Sequence, residues 1–355
     1  MVELLLSVCL NGGRWHFQTV GSFQVYGSYA ASGPFLSRGG SVGLSVPEKR
    51  TYRFDAKTKS VTLLSVQAVH VGNGVNSSSQ ADCDAGIISA YLQKTDDTGT
   101  LLSWDIETGR QLVSKPVSWN RFRRVGPLLD GSFNLAAGKT VEIPFSGWPV
   151  WANEDFVVLL EPSKLARQYG PYSVASLVDI KSAKPLHSQL VSPYEQGFYR
   201  IIGDPLHPPC AFEFGFSGVG VEVYSYSILK AGWAPFARNY PKVWDASPIG
   251  VLVSVVDRGY PSKGPRYPSV SFVDPVSEKV LWTKPAGDDA FLFDGKVVLC
   301  DKERWVVAEP RSGKVGFTLR VAGRLVARRG ALFLFQLKAT KPRHVRYELR
   351  RVVSG

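Results

Sequence analysis

Five short segments of the chain share one internal plan, and that repeat limits the fold more than any other feature. Each has a short apolar strand, an acidic residue, two variable residues, a Ser or Thr, and then a second strand. They are YRFDAKTKSVTLL (Asp55, Thr58), LSWDIETGRQLV (Asp105, Thr108, Gly109), SLVDIKSAKPLH (Asp179, Ser182), SFVDPVSEKVLW (Asp274, Ser277, Trp282) and VVAEPRSGKVGF (Glu309, Ser312, Gly313). The chemistry is that of a hairpin. The carboxylate accepts hydrogen bonds from turn amides, the Ser or Thr braces the turn from the other side, and Gly, where present, supplies a positive φ. Elsewhere the dominant period is two: VTLLSVQAV (61–69), DFVVLLEP (155–162), IGVLVSVVD (249–257), KVVLC (296–300) and ALFLFQL (331–337) are runs of strand formers bounded by Gly, Pro, Asp and Ser. Only Ser163 to Tyr169 has a helical pattern, with Ser163 as its N-cap. The chain is expected to be all-β.

The copies are separated by 50, 74, 95 and 35 residues. The longest gap fits two units of ~47 residues, with a degenerate copy near Ser227 in YSYSILKAGW. The gap of 74 fits one unit carrying an insertion at about 120–155, or two short units, so that 119–155 is read as an insertion or an irregular blade. HVRYELRR (344–351) follows the last copy, with Glu348 in the acidic place and no further strand after it, whereas VELLLSVCL (2–10) is a strand without a hairpin partner. The N-terminal strand is therefore expected to complete the last unit and close a ring, which removes two exposed sheet edges. The pattern resembles β-propeller repeats of the quinoprotein and WD-like kind, in which a D-x-x-[ST]-G-K-x-x-x-W step joins the third and fourth strands of a blade. Asp274 to Trp282 comes nearest, with Glu278 where Gly is usual. The resemblance implies a single propeller domain over 1–355, with four-stranded blades centred near residues 55, 105, 179, 227, 274, 309 and 348. That makes seven, and the irregular stretch 119–155, which matches no blade, leaves six or eight open. Trp104, Trp282 and Phe317 are expected to pack between blades. The resemblance carries architecture and not chemistry, because propellers host unrelated functions.

Of the 355 residues 44% are hydrophobic and 20% charged, and no run approaches the ~20 apolar residues of a membrane span. A disordered chain, a helical bundle and a helical membrane protein are excluded. The N-terminus has Glu3 and only Leu4 to Leu10 as an apolar stretch, so it reads as a strand rather than a signal peptide, and a cytoplasmic location is expected. Cys9, Cys83, Cys210 and Cys300 form no CxxC pair, which argues against zinc or thioredoxin chemistry; a Cys9–Cys300 bridge requires that their strands adjoin, and the pairing stays open. One Met, seven Asn and ten Gln fit a hyperthermophile composition.

The net charge is +12, and it is concentrated. From residue 301 onward there are 14 Lys and Arg against 4 Asp and Glu; the first 300 residues hold 28 against 26. The candidate nucleic-acid-binding residues are Arg320, Arg324, Arg328, Arg329, Lys338, Lys341, Arg343, Arg346, Arg350 and Arg351, together with Arg121, Arg123 and Arg124 of WNRFRR, where arginines interleave with aromatics. Trp148 and Trp151, in the stretch 131–153, are candidate partner-binding residues on an insertion loop. Catalysis finds little support. Asp82 and Asp84 flank Cys83, Glu154 and Asp155 adjoin, and His207 and Cys210 form an HxxC step, but there is no nucleophile elbow, P-loop, GxGxxG or HxxxH. The expectation is a non-enzymatic binding scaffold without cofactor that contacts RNA or a ribonucleoprotein through a basic C-terminal surface. The alternatives are an adaptor for an acidic protein partner or a structural subunit, viral ones included, and, less favoured, a hydrolase or oxidoreductase using the central channel.

Overall fold

The computed structural model describes residues 15–27, 32–46, 50–65, 82–84, 86–93, 98–118, 124–125, 128–129, 133–134, 139–140, 148–153, 155–162, 173–191, 197–204, 207–215, 223–227, 234–235, 242–254 and 269–354. The segments expected to form the strand 2–10 and the helix Ser163 to Tyr169 lie outside the described residues. All regular elements described are strands. Strand β1 (Trp15–Tyr26) comes first in the chain. The first blade is β2 (Ser32–Leu36), β3 (Val42–Val46), β4 (Arg50–Asp55) and β5 (Ser60–Ser65). The second is β6 (Asp82–Asp84), β7 (Ile87–Gln93), β8 (Thr98–Asp105) and β9 (Gln111–Ser118). The third is β10 (Arg124–Val125), β11 (Leu128–Leu129), β12 (Phe133–Asn134) and β13 (Lys139–Thr140). The fourth is β14 (Trp148–Ala152), β15 (Phe156–Pro162), β16 (Ser173–Asp179) and β17 (Lys184–Val191). The fifth is β18 (Gly197–Asp204), β19 (His207–Gly215), β20 (Val223–Ser227) and β21 (Ala234–Pro235). The sixth is β22 (Lys242–Ser247), β23 (Gly250–Ser254), β24 (Ser269–Val273) and β25 (Val280–Pro285). The seventh is β26 (Asp289–Phe293), β27 (Lys296–Asp301), β28 (Arg304–Ala308) and β29 (Val315–Arg320). The eighth is β30 (Arg324–Arg329), β31 (Leu332–Leu337) and β32 (His344–Ser354), with β1 as its fourth strand.

The protein is a β-propeller of antiparallel four-stranded sheets in which the first strand of one blade meets the first strand of the next around the centre. The seven expected repeat centres each fall in a separate sheet, Ser227 included. Among the described residues there are eight four-stranded sheets, one more than the seven expected and one of the counts left open, because 119–155 is the irregular blade rather than an insertion. It contains the two-residue strands β10–β13 and the first strand of the fourth blade. Strands of two residues leave no period-two signature in a sequence. Closure by an N-terminal strand holds, but the closing strand is β1, antiparallel to β32 from Trp15↔Ser354 to Tyr26↔His344. Its register shifts between Thr19 and Gly21, so the odd-numbered residues change face: Trp15 packs toward the seventh blade, Phe23 and Val25 toward the first, and all three are buried.

The second strands β3 and β23 are buried on both faces, between neighbouring blades, whereas the outer strand β25 is largely exposed. Apolar layers fill the interfaces. Phe23, Leu44, Phe54, Leu334 and Tyr347 join the eighth and first blades; Trp15, Phe291, Trp305, Phe333 and Phe335 join the seventh and eighth. Trp104 packs with Ile88, Ile106 and the half-buried Phe35 of the first blade, Trp282 packs against the sixth–seventh layer, and Phe317 meets Trp15 edge-on at 5.5 Å. All three expected interblade aromatics are in place.

The repeat is a backbone device. Asp105, Asp179 and Asp274 each accept the backbone N–H and the hydroxyl of the Thr or Ser three residues on, at 2.7–2.9 Å. Asp55 accepts the amides of Lys57 and Thr58. Glu309 departs from the pattern, since its carboxylate pairs with Lys296 at 2.6 Å. In all five copies the residue four past the acid is left-handed: Lys59 (φ 57°), Gly109 (71°), Ala183 (53°), Glu278 (54°) and Gly313 (64°). Glycine stands where the preceding blade docks on the turn. A Cβ on Gly313 would lie 2.8 Å from the Trp282 ring, whose Nε1 donates to the Pro310 carbonyl, and one on Gly109 would lie 3.1 Å from the Arg53 guanidinium, which donates to the carbonyls of Ile106 and Glu107. Non-glycine residues in this region cost about 1–2 kcal/mol, and added glycine costs about 0.4–1 through the unfolded chain. Lys59→Gly, Ala183→Gly and Glu278→Gly are therefore expected to raise stability by up to about 1 kcal/mol each, and Gly313→Ala to lower it by more than that, read as shifts in the denaturant midpoint.

These turns also set an acid limit. Hydrogen bonds from Ser182 and Ser277 outweigh burial and hold the Asp179 and Asp274 carboxyls below the usual range; at Asp55 burial opposes, and Arg53 with the turn amides prevails. A depressed carboxyl stabilises the fold fully above its unfolded value of about 3.9, and that contribution is lost as pH falls through the lower folded value. Stability should fall steeply below about pH 4, and Asp179→Asn with Asp274→Asn should flatten that slope in acid titrations followed by near-ultraviolet circular dichroism.

Candidate functional site

Strand direction sorts the basic residues. Turns from first to second and from third to fourth strand lie on one face, here the hairpin face; turns from second to third strand and the links between blades lie on the other. Arg304 begins β28 directly opposite Arg320 at the end of β29. Arg324 opens β30 after the link that follows β29, and Lys338, Lys341 and Arg343 occupy the turn between β31 and β32. These six side chains are exposed and lie at the face away from the hairpin turns, on two adjacent blades. Lys302 joins them on the turn between β27 and β28, where its amide donates to Asp288 Oδ2 at 2.9 Å. The described acids at this end of the two blades are Asp288, Asp301 and Glu303, with Asp289 largely buried at the start of β26. Among the described residues none of the six cations forms an ion pair, and the like charges of Arg304 and Arg320 face each other across the ladder, an unfavourable arrangement in isolation. Lys302 and Arg304 belong to the basic segment that begins at residue 301, and strand direction is what brings them to this end.

The remaining expected arginines have different duties. Arg328 reaches from the end of β30 past the seventh blade to Asp245 on β22, 2.5 Å away, with its guanidinium 4.6 Å from the centre of the Phe291 ring. The same Asp245 oxygen accepts the amide of Leu292 at 2.8 Å, so one carboxylate joins the inner strands of three blades. Arg350 pairs with Glu348 at 2.5 Å, donates to the Ala322 carbonyl and lies over Phe335. Arg329 lies over Phe35 and donates to the Leu36 carbonyl, and Arg346 is 4.0 Å from Glu348. Arg351 is exposed near the hairpin end, opposite Leu332. The ten expected cations thus do not form one surface: Arg320, Arg324, Lys338, Lys341 and Arg343 are brought together, and Arg328, Arg329 and Arg350 brace the fold.

Arg121 and Arg123 lie outside the described residues, and Arg124 opens β10 opposite Leu129. Trp148 and Trp151 are not on an insertion loop. Both belong to β14, the first strand of the fourth blade, opposite Leu160 and Val158. Glu154 lies outside the described residues; Asp82 and Asp84 pair with Ser89 and Ile87, and His207 and Cys210 both lie on β19.

At the hairpin face a cleft of about 390 Å³ opens between the first, fourth and eighth blades, lined in part by Phe35, Arg38, Asp155, Arg328 and Arg329. Arg38 and Lys181 bind Asp155 at 2.9 and 3.2 Å. Burial alone would raise the Asp155 carboxyl, but these two hydrogen bonds overcome it and hold the group below the usual range. Asp289 goes the other way: burial raises it against its bond from the Ala290 amide and the nearby Arg328 and Lys242. Cys300 is a free, buried thiol that burial and the adjacent Asp289 push far up, which opposes thiolate chemistry. Among the described residues no three His, Cys, Asp or Glu side chains converge as a metal site, and no helix is long and apolar enough to cross a membrane.

No family model and no curated protein matches the chain. The chain is similar to many solved structures, and two of them are described. BamB from Moraxella catarrhalis aligns over 94% of this chain and 85% of its own at 10% identity, with a TM-score of 0.37. The AfRom2 CNH domain aligns over 95% of this chain and 99% of its own at 9% identity, with a TM-score of 0.42.

Proposed function

We propose that the chain is a non-enzymatic propeller scaffold that contacts RNA or a ribonucleoprotein through the face of the seventh and eighth blades that carries Arg304, Arg320, Arg324, Lys338, Lys341 and Arg343. One observation carries the reading: these side chains are exposed, concentrated on two adjacent blades, and form no ion pair among the described residues. Solubility does not require such concentration, since the first 300 residues are nearly neutral, with 28 basic against 26 acidic side chains. A polyanion relieves the repulsion between Arg304 and Arg320 and gains from the release of its counterions.

The test is purification at moderate salt without nuclease, with the ratio of absorbance at 260 and 280 nm read before and after RNase. Co-purifying RNA that elutes at high salt, and that is absent when Arg304, Arg320, Lys338 and Lys341 are together changed to Glu, supports the reading. These surface changes should leave the fold intact, each within about 0.5 kcal/mol. Charge reversal of Arg328 or Arg350 is a poor probe, because both hold internal acids. Protein that elutes without nucleic acid and does not retard RNA at low salt overturns the reading in favour of an acidic protein partner.

A further inference from the structure

The same face says how a nucleic acid would be held, an inference that rests on the reading above. Base recognition and base stacking need exposed aromatic planes or hydrogen-bonding side chains beside the cations. Among the described residues of the seventh and eighth blades the rings face inward: Trp305, Phe333, Phe335 and Tyr347 are buried, and Phe317 is packed against the core. Tyr26, at the same end, is already flanked by His344, edge-on at 5.6 Å, and by the Arg50 guanidinium 4.7 Å from its ring centre. What remains outward is an array of cations fixed at strand ends and turns, with Asp288, Asp301 and Glu303 on the seventh blade and Thr340, whose hydroxyl is already engaged by Gln24 at 2.8 Å, on the eighth.

We infer that this face binds the sugar–phosphate backbone of duplex RNA without reading sequence. A single strand gains little here, because it must be ordered on a surface with no platform on which its bases stack. A duplex arrives ordered, and for the double helix the charge along the axis is about twice that of one strand. The cations stand on two adjoining blades joined by the layer of Trp15, Phe291, Trp305 and Phe333, so the array is rigid and suited to a rigid partner.

The experiment measures fluorescence anisotropy of the full chain with an RNA duplex of about 16 base pairs and with oligo(U), oligo(A) and oligo(C) of the same length. Salt is varied between about 50 and 200 mM. The duplex is expected to bind several-fold tighter than any single strand, and the three homopolymers to agree within about threefold. Contact with about five phosphates gives a slope of log K against log salt near −4.5, and Arg304→Ala with Arg320→Ala reduces it by about 2. One homopolymer exceeding the others by more than about tenfold, or any single strand matching the duplex, overturns backbone-only recognition while RNA binding stands. Absence of binding to all four at the lowest salt overturns the RNA reading itself, and this inference with it.

Discussion

Phe23→Ala is expected to destabilise the protein by about 3–5 kcal/mol, and removal of β1 to abolish the soluble fold. Phe23 is buried between Phe54, 4.4 Å away ring to ring, and Tyr347, 5.3 Å away, so its loss opens a cavity where the first blade meets the eighth. Without β1 the deficit is larger. Trp15, Phe23 and Val25 each contribute about 1.5–3 kcal/mol of burial, and the ladder to β32 is lost. A domain is stable by only about 5–15 kcal/mol, and β32 would present an unpaired edge next to exposed apolar side chains. Urea unfolding of Phe23→Ala and soluble yield of a chain lacking residues 1–26 read the two effects. A truncated protein that stays soluble, with the midpoint of the full chain, would show that β1 is not the closing strand.

The second large effect belongs to Asp245. Asp245→Ala should cost about 3 kcal/mol, the lower end for a broken buried ion pair because Arg328 retains 31% side-chain exposure. The change leaves the Leu292 amide and the Arg328 guanidinium without their acceptor. Adding Arg328→Met to Asp245→Ala should recover part of the loss, since the stranded cation is then gone. Equal losses in the single and the double variant, measured in one denaturant series, would show that the two side chains are not coupled.

The same two residues show what was legible in the sequence. Arg328 read as a surface cation because it stands in a basic run, Ala327-Arg328-Arg329-Gly330. Its partner lies 83 residues earlier, on a strand two blades away, and no local pattern links them. The hairpins were legible because their chemistry is local: Asp274 and Ser277 meet within one turn. The left-handed position was legible only at Gly109 and Gly313, and hidden at Lys59, Ala183 and Glu278, where the backbone adopts it against the preference of the residue. The third blade stood only as an alternative, an irregular or short unit within 119–155, because its strands are too short to alternate, and in β1 the irregularity at Thr19 and Gly21 turns the odd-numbered residues from one blade interface to the other. Of the candidate site, the concentration of charge was plain from counting. Its division between an open face and a set of internal braces needed the direction of each strand.

Closure of the ring by β1 also has a cost in biogenesis. The strand leaves the ribosome more than 300 residues before its partner, which begins at His344. At roughly 5–20 residues per second, Trp15, Phe17 and Phe23 wait about 15–60 s for the surface that covers them. During that interval the nascent chain carries a sticky, unpaired segment while every intermediate blade can already fold. A holding chaperone that recognises apolar extended segments, or slow translation of the final blade, would therefore govern the yield of this protein more strongly than the thermodynamic stability of its finished ring.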